Sequence, residues 1–247
     1  MSTKNLLLSK RMAERFRGFY PVVVDLETAG FNSQENALLE VGACLLRLDE
    51  DGILHPGEVL DYHIRPFEGA VINEKSCRFI NVDPYDPARQ AEAEAPALRD
   101  FFKRVTSEMK LAHCRRAVMV AHNAAFDQGF LNAAVERNHL RNRCPFHPFS
   151  TFDTSALSGI FLGHTVLANA CALAGIEYDN AQAHGARYDA EVTAKLFCAI
   201  ANGYRSLLLG EDSFPPIPLP ASEAPGEEQN AGSPAEDSAD SQDSTAR

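Results

Sequence analysis

The sequence predicts a mixed α/β domain whose sheet is antiparallel over its first three strands and parallel beyond them, with helices on both faces. Three observations predict it. Three short apolar, β-branched runs, the last two joined by a hairpin-like turn, open the body of the chain. Helical and strand-like spacings alternate after about residue 96. Hydrophobic residues make up 45% and charged residues 23%, the balance of an ordinary globular protein, and no internal repeat interrupts the pattern.

The elements follow in order. After a basic stretch at Lys10, Arg11, Arg15 and Arg17, residues Pro21–Glu27 read as a buried strand. Leu38–Leu48 is a second strand, and Asp49-Glu-Asp-Gly52 a hairpin-like turn. Val59–Arg65 is a third strand, stopped by Pro66. Leu98, Phe101, Phe102, Val105 and Met109 carry helical spacing over 96–112. Ala117–Ala121 is a further buried strand, followed by a helix over 126–139. Val166–Ala174 is a helix closed by Gly175, and 187–204 the last helix. The stretch around Phe149 reads as a Pro-rich loop.

The net charge of −11 is uneven. Residues 211–247 hold nine acids and one base, leaving only −3 on the rest, so the acidic total does not argue against a nucleic-acid partner. That tail is rich in Pro, Glu, Ser, Ala and Asp and buries too little apolar surface to offset its ordering entropy. The expected organisation is a partly ordered segment over 1–14, one catalytic domain over 15–210 and a disordered acidic tail over 211–247. The chain has no apolar run of the roughly 18 residues a membrane span needs, and Leu6-Leu7-Leu8 is too short for a signal-peptide core. The six cysteines contain no C-x-x-C pair, which fits reduced thiols and a cytoplasmic location.

Three clusters carry the chemistry. Asp25 and Glu27 stand two apart at the end of the first strand, so their side chains share one face. Two carboxylates on an otherwise apolar strand repel each other unless a cation lies between them. Their bland reading is a strand that ends in solvent. Ala121-His-Asn-Ala-Ala-Phe-Asp127 carries a strand into a helix, with Asn123 placed to cap it and Asp127 in its first turn, where an acid ordinarily compensates the helix dipole. His184-Gly-Ala-Arg-Tyr-Asp189 puts a histidine on the loop before the last helix and an acid in its first turn. Four carboxylates and a histidine at the edges of an α/β sheet suit hard cations such as magnesium or manganese. Two such ions about 4 Å apart activate a water and stabilise a leaving oxygen. Histidine is the side chain suited to taking the water's proton near neutral pH.

Asp25-Leu-Glu27-Thr28, His122-Asn123 through Asp127, and His184 through Asp189 together resemble the motifs of the DEDDh family of 3′→5′ exonucleases, in that family's order. The resemblance implies an RNase H-like fold, two Mg²⁺ ions per site with Mn²⁺ as a substitute, Asp25, Glu27, Asp127 and Asp189 as metal ligands, and His184 as general base. Phe16-Arg-Gly-Phe-Tyr-Pro21, Glu27-Thr-Ala-Gly-Phe-Asn32, Pro145-Phe-His-Pro-Phe149 and Thr151-Phe-Asp-Thr154 narrow it to the homodimeric branch that trims the 3′ ends of tRNA and other stable RNAs and also degrades single-stranded DNA. That branch sets a basic patch of one subunit beside the site of the other; the matching positions are Arg15, Arg17, Lys110 and Arg116. Phe31, Phe79, Phe126 and Phe149 match its base-stacking aromatics, a role worth about 1–3 kcal/mol per base. For Phe79 the competing reading is a core segment with Ile80 and Val82. A proofreading DNA exonuclease tethered to a polymerase by its C-terminal tail shares all three motifs and is the alternative. A catalytically silent nucleic-acid-binding module is the reading from another class.

Overall fold

The computed structural model describes residues 9–210. The expectations for the acidic tail, and for residues 1–8 of the N-terminal segment, lie outside the described residues. Within them the order is α1 (Met12–Arg15), β1 (Phe19–Thr28), β2 (Leu38–Leu48), β3 (Leu54–His63), α2 (Glu74–Phe79), α3 (Glu94–Leu111), β4 (Arg116–Ala121), α4 (Ala124–Arg137), β5 (Phe146–Asp153), α5 (Thr154–Phe161), α6 (Leu167–Leu173) and α7 (Ala186–Leu209).

The sheet runs β3-β2-β1-β4-β5. β1 pairs antiparallel with β2 and parallel with β4; β2–β3 is antiparallel and β4–β5 parallel. This is the mixed sheet the sequence predicts. β1 lies at its centre, covered on both faces, which is why Tyr20–Val24 form an unbroken buried run instead of alternating. Phe101, Phe102 and Val105 of α3, Phe130 and Leu131 of α4, and Phe197 of α7 complete the core that β1 crosses. All six cysteines are free thiols, and no helix among the described residues is long and apolar enough to cross a membrane.

Two strands differ from expectation. β3 begins at Leu54, five residues before the predicted Val59, because Pro56 and Gly57 are tolerated on an edge strand beside the irregular register between Cys44 and Leu46. The segment read as a loop around Phe149 is β5, the opposite edge; Pro148 and an exposed pattern masked it in sequence.

Arg15, expected in the basic patch, is buried. It is 8% exposed, and its guanidinium donates to the carbonyls of Gly52 (2.7 Å) and Ala201 (3.1 Å), tying α1 to the β2–β3 turn and to α7. These bonds make it a structural anchor in this chain. Arg15→Ala is expected to destabilise the fold by roughly 2–3 kcal/mol, since one buried and one part-buried carbonyl lose a charged donor. Thermal denaturation would show the loss; an unchanged melting temperature would refute this role.

One glycine decides where α7 begins. Gly42 of β2 lies opposite Asp25 in the ladder, and a Cβ there would collide with the carbonyl of Ala186. The missing side chain lets the first turn of α7 lie on the sheet beside Asp25, which carries Asp189 to the end of β1.

Candidate active site

Four acids arrive from three elements. Asp25 and Glu27 project from the C-terminal end of β1, Asp127 from the first turn of α4 and Asp189 from the first turn of α7. Ligand oxygens of Asp25, Glu27 and Asp189 lie within 4.8 Å of one another. Asp127 is held by a hydrogen bond from the Leu26 amide to its Oδ1 (3.0 Å), which locks α4 onto β1 between the other two acids. Glu27, Asp127 and Asp189 are buried and Asp25 is half-buried.

The electrostatics follow from crowding. Burial, then the neighbouring Asp127, Glu27 and Asp189, hold the Asp25 carboxyl well above the usual range. Burial and Asp189 push Glu27 up to about 9. Burial pushes Asp127 up to about 8, against the pull of its backbone hydrogen bonds. Asp189 is raised by burial and eased by the His184 amide, which donates to its Oδ2 at 2.9 Å. The other oxygen, Oδ1, is buried without a hydrogen-bond partner. A buried carboxylate oxygen without a donor, facing two further carboxylates, fits a divalent cation: the donor set is all oxygen, as hard cations require.

Asp127 reaches this position through a device not expected from sequence. Asn123 sits at the N-cap position of α4 in the left-handed region (φ 68°), and its side chain makes no capping bond, which corrects the expected cap. Asp153 does the capping instead. Its carboxylate accepts from Asn123 N (3.2 Å) and Ala124 N (3.1 Å), and from Ser155 N (2.9 Å) and Ala156 N (3.3 Å) of α5. One acid at the end of β5 thus sets the starts of two helices. Its sequence signal was the Asp153-Thr-Ser-Ala cap pattern, which carries no hint of the second helix.

Beside Glu27 opens a pocket of about 270 Å³ lined by Phe31, Phe79, Phe126 and Lys75. Phe31 is 77% and Phe79 68% exposed, so Phe79 is not a core residue. Phe31 stands edge-on to Phe126 at 6.3 Å. His184, exposed and in the left-handed region (φ 64°), rests its ring 4.3 Å from Phe79. The structure therefore brings together Asp25, Glu27, Asp127, Asp189, His184, Phe31, Phe79 and Phe126.

Comparison with known proteins agrees with this geometry. A family model described as Exonuclease matches residues 22–197. Ribonuclease T of Vibrio parahaemolyticus is 53% identical over 79% of this chain and 92% of its own length. Ribonuclease T of Cronobacter sakazakii is 52% identical over 86% of this chain and 93% of its own. The chain belongs to the ribonuclease T family of exonucleases. It is a 3′→5′ exoribonuclease, a hydrolase of phosphodiester bonds. Solved structures show the fold. E. coli exonuclease I in complex with a dT13 oligonucleotide superposes with a TM-score of 0.56 at 19% identity, over 78% of this chain. This chain spans less than half, 43%, of that protein. A 3′-exonuclease that recognises a histone mRNA stem-loop gives 0.55 at 16% identity, over 74% of this chain and 64% of its own. The RNase H-like architecture expected from the motifs is the one observed.

The remaining predicted residues of this ribonuclease T relative lie elsewhere. Phe149, 80% exposed, stands on edge strand β5 against His147 (4.5 Å) and is not among the residues lining the pocket of the other three phenylalanines. Arg17, Lys110 and Arg116 are exposed. Arg116 opens β4 and pairs in register with Phe19, while Arg17 lies over the Phe19 ring at 5.2 Å. Arg115, missed in the sequence, joins them: its amide donates to Gly18 O at 2.8 Å. Arg17, Arg115 and Arg116 gather at the N-terminal end of β1, and the acids at its C-terminal end. Phe19 to Asp25 spans about 20 Å at the rise of an extended strand.

Proposed function

We propose that this protein trims the 3′ ends of tRNA and other stable RNAs, degrades single-stranded DNA as well, and works as a homodimer with Mg²⁺. The observation that carries the reading is Glu27. It is at once a member of the carboxylate cluster and a wall of the aromatic pocket. A terminal base stacked among Phe31, Phe79 and Phe126 therefore leaves its own phosphodiester beside the acids. Stacking of this kind needs unpaired bases, so single-stranded 3′ ends are the substrates and duplex stops the enzyme.

Asp25, Glu27, Asp127 and Asp189 hold the cations, which when bound supply charge stabilisation to the attacking and leaving oxygens. His184 takes the proton of the attacking water; its loop position before α7 leaves the ring exposed at the mouth of the site. The Phe79 ring under it restricts where that imidazole points. Water attack at phosphorus breaks the P–O3′ bond, so the 3′ oxygen leaves on the shortened strand and the phosphate departs with the terminal residue as a nucleoside 5′-monophosphate. The separation of the basic patch from the acids along β1 supports the homodimer, in which Arg17, Lys110 and Arg116 of one subunit serve RNA bound at the other. Phe149, exposed on edge strand β5, is assigned to the same path along the substrate.

The test is 3′-end trimming of 5′-labelled tRNA and of single-stranded DNA, each with Mg²⁺ and with EDTA. The expected result is Mg²⁺-dependent loss of the last few tRNA nucleotides together with digestion of the DNA strand. Strong DNA digestion that leaves tRNA intact would instead favour a proofreading nuclease. Replacing both Phe31 and Phe79 by Ala is expected to raise KM for single-stranded substrates by at least about tenfold, from the loss of stacking worth roughly 1–3 kcal/mol per base. A KM unchanged in steady-state trimming would remove these residues from the binding path.

A further inference from the structure

His184 stands on a short loop before α7, in which Asp179, Gln182 and His184 itself are exposed. Among the described residues, two hydrogen bonds join residues 179–184 to the rest of the chain, and both end on the first turn of α7. At the far end of the loop the Asp179 amide donates to the Tyr188 hydroxyl (2.5 Å). At the near end the His184 amide donates to Asp189 Oδ2 (2.9 Å). Between the two, Asp179 builds a turn of its own. Its carboxylate accepts from the Ala181 amide (2.9 Å) and from the Gln182 side-chain amide (2.8 Å), and its carbonyl accepts from the Gln182 amide (3.1 Å). Two adjacent residues of α7 therefore clamp both ends of the loop that carries the histidine.

We propose that Tyr188 is a positioning residue for the general base: its hydroxyl fixes Asp179, holds the loop against α7 and so presents the His184 imidazole to the attacking water. The proposal rests on the assignment of His184 as that base. Tyr188 can serve as a fixed post because its ring belongs to the helix and not to the loop. The ring meets Tyr178 at 5.8 Å and 63°, and both lie on the apolar cluster around Cys171 of α6 and Leu196 of α7. Asp189, the other anchor, is shared with the carboxylate cluster, so Tyr188 is the anchor that serves the loop alone.

The backbone of His184 needs such support. Its φ of 64° lies in the left-handed region, which a residue with a Cβ keeps only where its surroundings hold it. Its ring lies 4.3 Å from Phe79, a residue that is itself 68% exposed and offers the imidazole a wall on one side only. Without the Tyr188 hydroxyl the exposed Asp179 amide turns to water at little cost, and the loop pivots on the single bond to Asp189. The imidazole then spends less time where it can take the water's proton, and the rate falls with that fraction.

The experiment uses the full-length chain with Tyr188→Phe, which keeps the ring and removes the hydroxyl, beside His184→Ala and the double variant. In steady-state digestion of single-stranded DNA with Mg²⁺, Tyr188→Phe is expected to lower kcat about tenfold, the factor that one lost hydrogen bond allows, with KM unchanged. The double variant is expected to match His184→Ala, because a loop without its imidazole has nothing left to position. Amide exchange at residues 179–183 is expected to quicken about tenfold in Tyr188→Phe. Its melting temperature is expected to stay within about 4 °C of native, so the loss of rate is not a loss of fold. A native kcat in Tyr188→Phe would overturn the positioning role. A further loss in the double variant would overturn it too, since the hydroxyl would then act on something other than His184. Unchanged exchange would show that the bond does not hold the loop, with the same consequence. A native rate in His184→Ala would instead remove the base itself, and this inference with it.

Discussion

Asp25→Asn is expected to lower hydrolysis by about a thousandfold or more while raising the melting temperature of the metal-free protein. The first effect follows from the site's chemistry. Charge stabilisation by a bound cation is worth several kcal/mol in such reactions, and about 1.4 kcal/mol corresponds to a factor of ten in rate. The second follows from crowding. Asp25 stands among Asp127, Glu27 and Asp189, each of which raises its carboxyl. An isosteric amide removes that repulsion and leaves the volume unchanged. Relief of about 1 kcal/mol shifts a domain of this size by roughly 2–4 °C. The pair of measurements is trimming rate with Mg²⁺ and thermal denaturation with EDTA. A variant that keeps native activity would remove Asp25 from the metal ligands, and one that loses both activity and melting temperature would mean that the acid supports the fold.

Without divalent cation, stability is expected to fall as pH rises from about 5 to 9, and Mg²⁺ is expected to flatten that slope. Glu27 and Asp127 have folded values of about 9 and about 8, far above those of an unfolded chain. The folded protein therefore keeps protons that the unfolded chain releases. The stability these groups contribute is complete below the unfolded value near pH 4 and is lost as pH climbs through the folded values. A bound cation favours the ionised acids and releases those protons, so its affinity rises with pH. At roughly a hundredfold excess over its dissociation constant it adds about 2.7 kcal/mol, or roughly 5–10 °C here. Melting curves at pH 5.5, 7 and 8.5, with EDTA and with Mg²⁺, decide it. Parallel slopes in the two series would refute the link between the acids and the cation.

Much of the site was legible because its residues violate local rules. Asp25 and Glu27 interrupt a buried apolar run, and such acids call for a partner wherever the strand is placed. Their common face follows from strand geometry alone, and their proximity is observed. Asp127 and Asp189 were harder, since an acid in a first helical turn is unremarkable by itself. Their convergence depends on the Leu26 amide for one and on the close approach of α7 to Gly42 for the other. Arg15 and Arg17 show the same limit from the opposite side. Two residues apart, they look alike as cations, yet one is buried against the carbonyls of Gly52 and Ala201 and the other is exposed over Phe19.

By itself the sequence determined the strands β1, β2 and β4, the four acids with their histidine, and the family to which they point. These depend on side-chain alternation and on the chemistry of neighbouring residues, which the chain carries locally. Only the tertiary structure decided that Phe149 lies on a strand, that Asp153 caps two helices, and that Glu27 joins the acids to the aromatic pocket. Each of these depends on a partner distant along the chain: β4 for Phe149, the amides of α4 for Asp153, and α2 for the pocket wall. A short edge strand with a proline buries too little to declare itself, and a carboxylate's hydrogen bonds across about thirty residues leave no periodic trace.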